Sequence, residues 1–197
     1  MDRAKKRAIF QSIGVLAVIA LVCGVLLGAV NALTWVDPRT EAYAKFAADT
    51  GFSFTVPEED DTEGRETAFT ATVSSSGGTR TVTAEIEYYG LSDDGSVHAF
   101  CVSGSGGYGG DVQMYVYIRG GMIYKIVAGE NSETFMDSLA GSDTFYAQFL
   151  NVPVSELLDG SGTDYVSGAT RSSNAVTAAV GAAAKYYELY LAEAANG

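Results

Sequence analysis

The sequence predicts an α+β domain, with a mixed or largely antiparallel sheet of about five strands covered by helices, behind one transmembrane helix. Three observations carry that expectation. One apolar run, Ala8 to Leu33, is 26 residues long and broken only by Gln11, Ser12 and Asn31, which is enough to cross a bilayer as a helix. The middle of the chain alternates apolar and polar residues between Gly-rich turns, the period of half-buried strands. From Ser172 onward Ala175, Val176, Ala179, Val180, Ala183, Ala184, Tyr187 and Leu191 recur three and four apart, the spacing of a helix that covers a sheet.

Arg3, Lys5, Lys6 and Arg7 precede the apolar run, and Asp37 and Glu41 follow it. Positive charge stays on the cytoplasmic side, so residues 1–7 read as a cytoplasmic tail, 8–33 as a retained single-pass anchor in the cell membrane, and the rest as extracytoplasmic. A cleaved signal peptide is the rival, because Val30-Asn31-Ala32 is similar to a small-residue cleavage site; the length of the run favours retention. Beyond the run stand eight basic and 23 acidic residues. Such a surface repels nucleic acid and anionic headgroups. Cys101 is the lone cysteine there and His98 the lone histidine, which leaves no disulfide framework and no zinc site.

Residues 34–59 read as a linker with a short helix, Trp35 to Thr50, after Asp37-Pro38. Glu58-Glu-Asp-Asp61 reads as a solvated acidic loop rather than a metal site. The main domain spans 60–192, with a tail at 193–197. Its strands are Thr67–Val73 and Thr79–Tyr89 around Ser74-Ser-Ser-Gly-Gly78, then Val97–Val102, and then Val112–Ile118 and Met122–Val127 across Gly120-Gly121. Residues 151–163 form a loop with a helical piece at Val154 to Leu158.

The chemistry concentrates in Asp164-Tyr-Val-Ser-Gly-Ala-Thr170-Arg-Ser-Ser173. Ser172 and Ser173 are natural N-caps, which places Thr170 just outside the first turn of the last helix. Unpaired N–H groups and the helix dipole favour an anion there, phosphate above all. Gly168 supplies positive φ, Ala169 keeps the loop tight, and Asp164 is placed to tie down backbone N–H groups. Residues alone support only an anion site or an ordinary capped loop.

The run Asp164-x-x-Ser167-Gly168-Ala169-Thr170-x-Ser172-Ser173 resembles the flavinylation motif of the FMN-binding domain shared by RnfG and NqrC, subunits of the Rnf and sodium-pumping quinone reductase complexes. The resemblance implies FMN held by a phosphoester to Thr170, with Asp164, Ser167, Gly168 and Ala169 shaping the loop. It also implies a separate flavin transferase that uses FAD as donor. Gly104-Ser-Gly-Gly-Tyr-Gly-Gly110 is similar to the family's Gly-Tyr-x-Gly run, which puts Tyr108 near the flavin. Glu130 to Phe135 stands in place of the family's Glu-Thr-Pro-Gly-Leu-Gly and keeps only Glu133-Thr134, so Thr134 becomes a further contact and the local shape departs from the family. Thr144 to Phe149 is similar to the aromatic helix that follows.

What the resemblance implies overall, over residues 60–192, is an electron-transfer subunit of an Rnf-type complex that couples electron transfer to ion translocation. Other membrane subunits would be its partners, without metal or nucleic acid and without a complete catalytic activity of its own. A stand-alone membrane-anchored FMN carrier for extracellular electron transfer, and a non-redox surface scaffold, are the alternatives.

Overall fold

A computed structural model describes residues 3–59, 62–75, 78–142, 144–158 and 163–192. Asp60 and Asp61 of the acidic run, Ser76-Gly77 of the first hairpin turn and the 193–197 tail lie outside the described residues. The chain divides into two compact units, residues 1–38 and 39–197.

The first unit is helix α1, Arg3–Thr34. At 1.5 Å per residue its 32 residues span about 48 Å. Mean hydropathy reaches 2.9 over its most apolar window, and Ile13, Leu16, Leu21, Leu27 and Leu33 are all more than half exposed. A helix whose side chains from Ile13 to Leu33 are almost all apolar suits hydrocarbon rather than water. It is the chain's one helix among the described residues long and apolar enough to cross a membrane.

The second unit opens with α2, Pro38–Thr50, and continues through β1 (Ala68–Ser75), β2 (Gly78–Leu91), β3 (His98–Gly104), β4 (Val112–Arg119) and β5 (Met122–Ala128). The strands form one antiparallel sheet in the order β1-β2-β3-β4-β5, so the mixed alternative is excluded. After β5 come a short helix α3, Met136–Ala140, two 3₁₀ turns at Ala147–Phe149 and Val154–Glu156, and the long helix α4, Thr170–Tyr190. The aromatic segment 144–149, expected as a helix, is thus only a 3₁₀ turn, and α3 arises where no helix was anticipated.

Alternation sorts the side chains onto two covered faces. Phe100, Val102, Met114, Val116 and Ile118 join the cluster under α4, while Ala99, Cys101, Tyr115 and Tyr117 join one with Tyr43 and Phe46 of α2. The register of β2 slips between Ile86 and Tyr88. The bulge puts Tyr88 with the α2 cluster and Tyr89 with the α4 cluster, so one strand serves both layers. Residues from Ala175 to Ala184 on α4 are buried throughout, and their small side chains let the helix lie close on the sheet. At one point closeness is absolute: a Cβ on Gly104 would collide with the Ala175 carbonyl. The return segment pairs with β5 through Met122 and Pro153, with Ile123 N–H donating to Val152 C=O at 3.0 Å, which covers an edge that would otherwise be open.

Candidate functional site

The predicted loop, the Gly-rich run and the 131–135 segment meet at the amino-terminal end of α4. Residues Tyr108, Phe135, Gly168, Ala169, Thr170, Arg171 and Ser172 line a cleft of about 190 Å³. Tyr108 is exposed and meets Phe135 edge-to-face, with ring centroids 5.2 Å apart. These two rings make one wall and the first turn of α4 makes the other. A pocket enclosing a drug-sized ligand usually exceeds about 300 Å³. This cleft therefore seats part of a large ligand and leaves the rest in solvent.

The helix begins earlier than the hydroxyl pattern suggests. Thr170 is itself the first residue of α4, and Ala169 stands at the N-cap with no side-chain cap bond. Ser172 and Ser173 are not N-caps, because both are recruited elsewhere. Ser173 Oγ accepts from Val166 N–H at 3.0 Å and donates to Ala169 C=O at 3.0 Å, which folds the loop back on the helix. Ser172 Oγ donates to Glu133 Oε1 at 2.6 Å. First-turn N–H groups have no partner within the helix, and here no capping side chain occupies them. Gly168 takes φ +87°, the left-handed conformation that aims the chain into α4. Thr170 is half-buried on the cleft wall, and Arg171 beside it is exposed. A hydroxyl, free helix N–H groups, a guanidinium and two rings fit a flavin phosphate and part of an isoalloxazine ring.

Glu133 is the residue the sequence did not single out. It is only 7% exposed, and Oε2 accepts Gly109 N–H at 2.7 Å while Oε1 takes the Ser172 hydroxyl. Burial pushes its pKa up, but the Ser172 hydroxyl and the backbone N–H groups of Gly109, Tyr108 and Phe135 outweigh burial and hold it below the ordinary value. One ionised carboxylate thus ties the Gly-rich loop and the α3 entry to α4. The glycines serve that closure: a Cβ on Gly107 would meet Glu133, and one on Gly109 would sit 2.7 Å from Ser132 C=O. Thr134 is exposed beside Gly109 and does not line the cleft. Asp164 and Ser167 line a separate depression with Tyr165 and Phe145. Asp164 is held by its main chain, its N–H donating to Gln148 Oε1 at 2.7 Å and its C=O accepting Gln148 Nε2 at 3.1 Å.

A larger cavity, about 410 Å³, lies at the other end of the sheet around His98 and Tyr187. Volume alone would favour it. The motif, the aromatic wall and the free helix terminus favour the smaller cleft.

Residues 107–185 match the family model of the FMN-binding domain. The match runs from the Gly-rich loop through β4, β5, Glu133 and Thr170 into α4, so it holds every residue of the cleft. No curated protein and no solved structure matches the chain. Residues 107–185 therefore match an FMN-binding domain, and one helix long and apolar enough to span a membrane precedes them.

Proposed function

We propose that the protein is a covalently flavinylated electron-transfer subunit of a membrane-bound Rnf-type complex, with FMN joined by a phosphoester to Thr170. The observation that carries this reading is the position of Thr170: a half-buried hydroxyl on the first residue of α4, in the cleft walled by Tyr108 and Phe135. Bound FMN supplies one- and two-electron transfer. The residues of this chain bind and orient it. First-turn N–H groups and Arg171 stabilise the phosphate, Tyr108 and Phe135 offer ring faces, and Glu133 fixes the spacing between those walls. No carboxylate or imidazole hydrogen-bonds the Thr170 hydroxyl among the described residues, which fits attachment by a separate flavin transferase with FAD as donor. The shallow cleft leaves part of the ring in reach of a redox partner.

The amino terminus is cytoplasmic and the domain extracytoplasmic in this proposal, on the charge asymmetry around α1. Asp164 and Ser167 act as shaping residues, and Thr134 as an outer contact beside Gly109. The test is a denaturing gel of membranes from cells co-expressing a flavin transferase. The parent band fluoresces as flavin after denaturation and the Thr170→Ala band does not. A dark parent band beside a fluorescent control substrate of the same transferase would contradict the proposal.

A further inference from the structure

Ser172, Ser173, Asn174 and Thr177 are polar side chains buried along the first turns of α4. Three of them are engaged. Ser172 Oγ donates to Glu133, Ser173 Oγ bridges Val166 N–H and Ala169 C=O, and Thr177 Oγ1 accepts from Thr163 Oγ1 at 3.5 Å. Asn174 is 5% exposed, yet its amide has no hydrogen-bond partner among the described residues. Burying an amide without a partner is costly, and folded chains keep few such groups. The amide is not sealed in, since Tyr146 Oη is the one fully enclosed, unpartnered side-chain polar atom among the described residues. What stays accessible of Asn174 therefore includes Oδ1 and Nδ2.

Helix geometry decides where that amide can reach. Cα–Cβ bonds in a helix lean toward its amino terminus, so a side chain covers the turn before its own. For Asn174 the neighbours three and four residues back are Arg171 and Thr170, and both line the flavin cleft. Asn174 itself stands one turn behind that lining. At a spacing of four residues the Cβ atoms of Thr170 and Asn174 are about 5–6 Å apart, a gap that one phosphate on the Thr170 hydroxyl spans. An asparagine amide offers two N–H donors and one acceptor. An anion on Thr170 takes a donor, which turns Nδ2 toward it and supplies the partner that the amide lacks.

We propose that Asn174 is a further cofactor-holding residue, whose Nδ2–H donates to the phosphate of FMN on Thr170. This rests on the Thr170 attachment and adds a residue to it. Full-length protein labelled with ¹⁵N-asparagine, in maltoside micelles, is compared with and without a co-expressed flavin transferase. The chain has five asparagines, Asn31, Asn131, Asn151, Asn174 and Asn196, and the side-chain NH₂ pair missing from Asn174→Ser identifies Asn174. Flavinylation moves that pair downfield and slows its exchange with water about tenfold or more, the mark of a donor to a charged acceptor. The single ³¹P signal of the flavinylated protein shifts in both Asn174→Ser and Asn174→Asp. With flavin attached, unchanged exchange at all five pairs, or a ³¹P signal indifferent to both variants, would each overturn the proposal and leave the Thr170 attachment standing. A parent without flavin, beside a flavinylated control substrate of the same transferase, would overturn the attachment and this proposal with it. Should neither variant fold, the five pairs of the parent still decide.

Discussion

Replacing Glu133 by Ala removes one acceptor from three pieces of chain at once. The Ser172 hydroxyl and Gly109 N–H lose their partner in a buried position, at a cost of about 1–3 kcal/mol. Urea unfolding at pH 7 measures that loss. The carboxylate also makes stability depend on pH. Its folded pKa lies below the ordinary value, so its contribution is complete above the unfolded value of about 4.3 and is lost as pH falls through the lowered folded value. Glu133→Gln should flatten this acid limb and leave the neutral plateau only modestly lower; an unchanged acid limb would show that the tie does not titrate. Gly168 and Thr170 were legible from their residue types only as an anion site or an ordinary capped loop, and as flavin residues only through the resemblance to the flavinylation motif. Glu133 was not, since sequence spacing shows two adjacent polar residues, Glu133 and Thr134, and only the fold decides which one turns inward.

Strands and helices respond to sequence at a coarser grain. Period-two alternation gave all five strands within a few residues of their ends, and small residues at helical spacing gave α4. The bulge at Ile86/Tyr88 escaped, because alternation simply slips there and the two tyrosines that follow suit either face. The place of α2 escaped too. Its apolar residues are few, and Phe46 becomes fully buried only against Tyr115 and Tyr117 of a distant strand. Phe46→Ala should cost about 3–5 kcal/mol, read as a lowered Tm; a change within error would mean that α2 is not part of the cooperative unit. Gly104→Ala pushes β3 from the first turns of α4 and should cost about 1–3 kcal/mol, measured by chemical unfolding. Flavin loading of that variant should fall with its stability, since Ala175 and Thr170 share the helix end.

At the scale of the whole molecule, the apolar helix and the acidic domain are separate compact units. The anchor was legible from length and hydropathy alone, because hydrocarbon asks little of a helix beyond apolar side chains. Alkaline carbonate should leave the full chain with the membrane pellet and release a chain lacking residues 3–34. Recovery of both in the supernatant would mean that α1 does not span. The central claim concerns Thr170, and intact-mass measurement with peptide mapping tests it most directly, on full-length protein co-expressed with an active flavin transferase. The account predicts a gain of one FMN less water, located on the peptide that contains Thr170 and absent from Thr170→Ala. An unmodified parent, or an adduct on another residue, would contradict it.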